Sequence, residues 1–175
     1  VMRGKSEVYL KDQKALEDYL IAEGIRNAAL RLANGEVIRD GDLLRVVEQA
    51  RNVRQSLAAF PTHYSQFVLE HAAIAGVFRQ RPAEETAERT AEMLFRLPAS
   101  EAAAAVAARL DAVAPDTQRG WRGAEMQDGG IVLRRTLRGV EETRFIDALA
   151  AGSAEARRLA AHQSQLIDLY ASPAT

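Results

Sequence analysis

The sequence predicts an α+β fold: a helical subdomain with a short β-hairpin, then a C-terminal three-stranded antiparallel meander and a closing helix. Three observations lead there. Apolar residues recur at three-to-four spacing through most of the stretch from Asp12 to Val113. After Pro115 the texture changes to glycine-punctuated strands of alternating character. From Ser153 to Tyr170 the helical rhythm returns. A chain of 175 residues with 47% hydrophobic content is long enough to bury roughly 70% of the surface its unfolded form exposes.

The elements follow in order. Glu7 to Leu10 is β-prone and runs into an amphipathic helix from Asp12 to Ala22, with Ala15, Leu16, Tyr19 and Leu20 on one face and Asp12 as N-cap. Ala28 to Leu32 and Glu36 to Arg39 flank Asn34-Gly35, a pair suited to a two-residue turn with positive φ at both positions, so a hairpin is expected. Asp40-Gly41-Asp42 then leads into a long helix whose stripe is Leu43, Val46, Val47, Ala50, Val53, Arg54 and Leu57, ended by Pro61. Thr62 to Arg79 continues the rhythm through Phe67, Val68, Ile74, Ala75 and Phe78, and Pro82 and Pro98 bracket a further helix from Ala83 to Arg96.

Glu101 to Val113 is alanine-rich, yet Val106, Leu110 and Val113 sit at helical spacing, which marks a packed helix rather than low complexity. The glycines at 120, 123, 129, 130 and 139 punctuate the meander, whose second and third strands are Ile131 to Leu137 and Val140 to Ile146. Along the second strand Ile131, Leu133, Arg135 and Leu137 share a core face, and Val132, Arg134 and Thr136, with Arg138 beyond them, share a basic one. In the closing helix Ser153 caps, Glu155 lies in the first turn, and Leu159, His162, Leu166, Ile167 and Tyr170 form the stripe.

Composition narrows the function. Lys and Arg total 23 against 24 Asp and Glu, so no excess positive field favours autonomous, tight DNA binding. With no cysteine there are no disulfides, thiolate nucleophiles or cysteine zinc sites, which suits a reducing compartment. No stretch approaches the ~20 apolar residues of a membrane helix, and Val1 to Leu10 lacks the apolar core of a signal peptide. A cytoplasmic protein is expected. The opening Val1-Met2-Arg3-Gly4-Lys5 reads as mid-protein sequence, which predicts a piece of a larger chain.

Catalytic patterns are missing. His63, His71 and His162 are far apart in sequence and form no metal motif. Asp40-Gly41-Asp42 has a spacing that can hold Mg²⁺, but without a further acidic partner it reads as a turn and N-cap. There is no Walker loop, dinucleotide glycine pattern or nucleophile motif, so no ATP or nicotinamide site is expected. Glu84, Glu85, Glu88 and Glu92, interleaved with Arg89 and Arg96, have the pattern of a solvated helix face. We therefore expect no catalytic, cofactor-binding or metal-ligating residue in the chain. What remains is the arginine set of the meander: Arg119, Arg122, Arg134 and Arg138 are the candidate nucleic-acid contacts, with Arg144, Arg157 and Arg158 nearby. The alternative is strand arginines paired to Glu125, Glu141 and Glu142.

Arg3-Gly4-Lys5-Ser6-Glu7-Val8-Tyr9-Leu10-Lys11-Asp12, followed by Ala15-Leu16-Glu17-Asp18-Tyr19-Leu20, resembles a segment of the bacterial DNA gyrase B subunit. There the segment leaves the metal-binding TOPRIM domain and enters an inserted domain. Further similarity lies in Leu44 to Pro61, in Arg138-Gly139-Val140 and in the exit from Tyr170 to Thr175. The resemblance implies that residues 1–11 form a strand at the edge of the host TOPRIM domain and residues 12–175 a single inserted accessory domain. It also implies a parent that is an ATP-dependent type IIA topoisomerase using Mg²⁺ and ATP, with the rest of the gyrase B subunit, the gyrase A subunit and duplex DNA as partners and no membrane. The family's ATPase domain, TOPRIM glutamate and aspartate pair, and cleavage tyrosine find no match here, so no catalytic residue carries over. An inserted domain would assist DNA binding, contact with the A subunit and coupling of ATP use to negative supercoiling, and Glu7 and Thr175 would lie close together.

Two rival readings remain. One is a free-standing module whose helices between Asp42 and Val113 hold a partner helix. The other is an autonomous nucleic-acid binder using Arg134 and Arg138, against which the net charge argues.

Overall fold

A computed structural model describes residues 2–3, 6–7, 9, 11–32, 35–80 and 94–170, and the chain divides into two compact units, residues 1–50 with 172–175 and residues 51–171. The expected α+β class holds.

In the first unit β1 (Met2–Arg3) pairs antiparallel with β2 (Ser6–Glu7), with Met2 opposite Glu7 and Arg3 opposite Ser6. The predicted strand therefore sits earlier than expected, and Tyr9 is 96% exposed. Asp12 caps α1 (Gln13–Ile25) as predicted, its Oδ1 accepting from the Ala15 amide at 2.8 Å. No residue of α1 is fully buried, and Leu20 of the expected stripe is 54% exposed.

The hairpin forms between β3 (Ala29–Arg31) and β4 (Val37–Arg39), with Leu30 opposite Ile38. Its connection differs from the two-residue expectation. The Leu32 amide donates to the Glu36 carbonyl and the Gly35 amide to the Leu32 carbonyl, so three residues span the turn. Gly35 takes the left-handed position at φ 87°, while Asn34 lies outside the described residues.

Helix α2 (Asp40–Ala58) begins earlier than read: Asp40 enters it at φ 50°, and Asp42 lies inside the first turn, 3.4 Å from Arg45, instead of capping. In the second unit Val53, Leu57 and Phe60 are buried, whereas Arg54 of the expected stripe is exposed. Helix α3 (Gln66–Ile74), capped by Ser65, is shorter than predicted. It stops because Gly76 adopts φ 72°, and the chain then extends so that Phe78 bridges Phe95 antiparallel. The bridge also replaces the end of the helix expected from Ala83 to Arg96, whose remaining residues up to 93 lie outside the described residues, as do Glu84, Glu85, Glu88, Glu92 and Thr175.

Helix α4 (Ala99–Val113) presents Ala102, Ala103, Val106, Ala107 and Leu110 to the core, so its alanines are packing surfaces. Val113, expected on that stripe, is 43% exposed. A 3₁₀ turn (Asp116–Gln118) leads to the meander β5 (Arg122–Glu125), β6 (Ile131–Leu137) and β7 (Val140–Ile146), in the order β5-β6-β7. The short α5 (Ala148–Ala151) and α6 (Ala154–Tyr170) close the chain. Ser153 caps α6 as predicted, its Oγ accepting from the Ala156 amide.

The core sits where α4 lies on β5 and β6 and where α3 packs against α4 and α6. The α6 stripe is Ala156, Leu159, Ala160, Gln163 and Leu166. His162 and Ile167, assigned to it from the sequence, are only half-buried and 37% exposed respectively.

Candidate nucleic-acid interface

The meander's two faces differ because alternation sends successive side chains opposite ways. Ile131 and Leu133 of β6 and Ile146 of β7 are fully buried against the helices. Helix α4 comes so close that a Cβ on Gly123 would stand 2.2 Å from the Ala103 carbonyl oxygen, so only glycine fits there. Farther along the same face the Arg135 guanidinium stacks over buried Trp121 at 4.6 Å, donates to Glu142 at 2.7 Å and reaches the Gln118 carbonyl at 2.8 Å. Glu142 also pairs with Arg144 at 3.0 Å.

The other face is open to solvent. Register puts Arg122 of β5 directly opposite Arg134 of β6, and Arg134 opposite Thr143 of β7. Both arginines are exposed. Among the described residues neither has an ion-pair partner. Two like charges facing each other across strands are unfavourable by a few tenths of a kcal/mol or more. A concavity of about 450 Å³ lies over them, bounded by Ala124, Val132, Thr136 and Glu141.

The four candidate arginines separate. Arg122 and Arg134 come together. Arg138 stands at the β6–β7 turn with φ 51°, followed by Gly139 at φ 80°, so the two-residue turn with both φ positive that the sequence placed at Asn34-Gly35 occurs here. Arg119 is engaged elsewhere: its Nε donates to the Asp111 and Ala114 carbonyls at 2.9 and 3.2 Å, and its guanidinium meets Asp116 at 2.7 Å. It closes the C-terminus of α4, where a cation complements the helix dipole. Of the alternative pairing, the Glu142 part forms, since Glu142 takes Arg144 and also Arg135.

Sequence reading missed an aromatic group beside this face. Phe145 of β7 projects to the same side as Thr143 and Val132, and the 62–65 loop packs against it. His63 stacks on Tyr64 at 4.0 Å between ring centroids, and Tyr64 meets Phe145 edge-on at 5.8 Å. These rings line a second concavity of about 470 Å³, with Thr143 and Arg144 in its wall. No local signal joins residues some eighty positions apart, so only the fold reveals it.

The acidic groups nearby are structural. Asp147 Oδ1 accepts from the Tyr64 hydroxyl at 2.8 Å and from the Ala150 amide, capping α5. Burial, the Asp147 hydrogen bond and the charges of Asp147 and Asp128 push the Tyr64 hydroxyl up to about 12. Asp128 accepts from the Ala148 and Gly130 amides at 2.9 Å each, which holds its carboxyl below the usual range. Among the described residues no three histidine or acidic side chains converge as metal ligands. No described helix is long and apolar enough to cross a membrane.

No protein-family model matches the chain. Over 172 residues, 98% of its length, the chain is 31% identical to the DNA gyrase B subunit of two Caulobacter vibrioides strains. It spans 19% of the length of each of these relatives. The similarity runs along almost the whole chain, which aligns with a segment of these relatives.

Proposed function

We propose that the chain is a non-catalytic accessory domain of an ATP-dependent type IIA DNA topoisomerase of the gyrase B type. In this reading residues 1–11 lead in from the TOPRIM host and residues 12–175 form the insert. It works in the cytoplasm with the rest of the gyrase B subunit, the gyrase A subunit and duplex DNA, helping to bind DNA and to couple ATP use to negative supercoiling. Mg²⁺ and ATP serve other parts of the parent; here Asp128 and Asp147 are engaged by backbone amides and Asp42 by Arg45.

One observation carries the DNA contact: the in-register pair Arg122 and Arg134 on an open sheet face, without acidic partners among the described residues. Two adjacent guanidiniums that make no ion pair among the described residues, with Glu141 at the rim of the same concavity, fit a phosphate, to which arginine binds bidentately. Arg138 extends the basic edge along the β6–β7 turn. With near-zero net charge the domain adds to a DNA site held mainly by its parent.

The test is supercoiling, DNA binding and cleavage by the reconstituted enzyme after a short linker replaces residues 12–169 of the segment. Supercoiling or DNA binding should weaken while cleavage chemistry survives. Unchanged activity throughout would assign the domain to another partner, and loss of cleavage in a folded enzyme would show that it contributes to the active site.

A further inference from the structure

The meander carries two concavities of different chemistry, whose walls are brought next to each other by strand register. Thr143 stands directly across from Arg134 and also forms a wall of the aromatic concavity. Arg122 and Arg134 supply charge at one end, and His63, Tyr64 and Phe145 supply ring surface at the other. Phe145 is two residues beyond Thr143 on the same face of β7, so it is a diagonal neighbour of Arg134, about 7 Å away between backbones.

We propose that this face binds an unpaired nucleotide stretch: a backbone phosphate between Arg122 and Arg134, and the attached base against Phe145 and His63. It rests on the reading of the two arginines as a phosphate contact and deepens it by naming the form of nucleic acid. In a duplex the base faces are stacked and paired inward, so a ring platform next to a phosphate site has nothing to grip. A locally separated strand offers both groups at the spacing of one nucleotide. Stacking of bases on aromatic side chains beside a basic groove is how sequence-tolerant single-strand binding is built. The rings are suited to this role: Phe145 is 38% exposed and His63 is exposed, whereas Tyr64 is buried and anchored by its hydrogen bond to Asp147. Tyr64 thus fixes the platform while the other two present it.

The experiment is fluorescence anisotropy of the 175-residue chain with a labelled single-stranded oligonucleotide, the same sequence as a duplex, and a polyglutamate peptide as competitor. The single strand should bind more tightly than the duplex. Phe145→Ala and His63→Ala should each weaken single-strand binding roughly tenfold and leave the duplex nearly unchanged. Phe145→Leu, which keeps apolar bulk at the sheet edge, should show the same loss if the ring stacks on a base. The double variant Arg122→Gln/Arg134→Gln should weaken both forms and lower the salt dependence by between one and two units of slope. Equal binding of both forms with no effect of Phe145→Leu would overturn the proposal while leaving the arginines as DNA contacts. Indifference to the arginine pair, or displacement by polyglutamate as effective as by DNA, would overturn both readings.

Discussion

Gln163 of α6 holds the backbone of Phe78 by both of its polar groups, 85 positions away in sequence. Its Nε2 donates to the Phe78 carbonyl at 2.9 Å and its Oε1 accepts from the Phe78 amide at 3.1 Å. The side-chain amide does what a neighbouring strand would do, satisfying a stretch of chain that leaves α3 and runs into the core. All these groups are buried, so water does not readily replace the partner.

Gln163→Leu should therefore destabilise the second unit by about 2 kcal/mol, since two buried backbone groups lose partners while added apolar burial returns part of the cost. Urea unfolding checks this, as a lower midpoint with an unchanged slope. A change under about 0.5 kcal/mol would show that the Phe78 backbone finds other partners.

His71 makes stability pH-dependent. Burial, and then the positive charge of Arg109, push its imidazole down from 6.5 to about 4. Because the folded form prefers the neutral ring, the unfolded chain binds more protons between those values. Stability contributed by the neutral ring is complete above about pH 6.5 and falls as pH drops towards about 4, by up to about 3 kcal/mol. His71→Leu should remove this contribution from denaturation curves across the range, leaving the opposite slope of Glu70, whose carboxyl is raised by burial. Asp128, whose carboxyl lies below its usual value, loses its contribution only at lower pH, so the two effects separate.

Gly123→Ala should cost about 3 kcal/mol or prevent folding, because the new methyl meets the Ala103 carbonyl oxygen and carbon at 2.2 and 2.4 Å. Ala103→Gly should not rescue it, since the obstruction is mainly backbone. Rescue in the thermal melting of the double variant would mean that α4 and β5 move apart more easily than their packing indicates.

Arg138→Asn should raise stability by about 0.5 to 1 kcal/mol, seen as a Tm gain of about 2 °C, because asparagine tolerates the positive φ of this turn better than arginine. If Arg138 also touches DNA, the same variant should reduce the salt dependence of binding by about one unit of slope. The two readouts are independent.

The meander was legible because short β-prone runs are separated by glycines at its turns; the second and third strands have the predicted limits. The helical half was less so, since an apolar stripe marks a helix without marking its end. Thr62 to Arg79 reads as continuous, yet Gly76 stops it and frees Phe78 for its bridge. In α6 the buried line runs through alanines and one glutamine, residues that carry little weight in a hydrophobic pattern, so the pattern favours His162 and Ile167 instead. In the candidate site, sequence proximity groups four arginines that the backbone separates. Arg119 follows Asp116 at the close of α4 and serves the helix end. The aromatic half was invisible because the chain brings the 62–65 loop to β7 only in three dimensions.

Trp121 is the only tryptophan in the chain and is 7% exposed, with a guanidinium 4.6 Å from its ring. Its fluorescence is therefore a single-source signal, emitted from a dry site and sensitive to the cation above it. It reports whether α4 and the meander remain assembled. Register puts Arg122 and Arg134 on the sheet face opposite to Arg135, so Trp121 emission follows unfolding while a labelled strand follows occupancy, in the same cuvette.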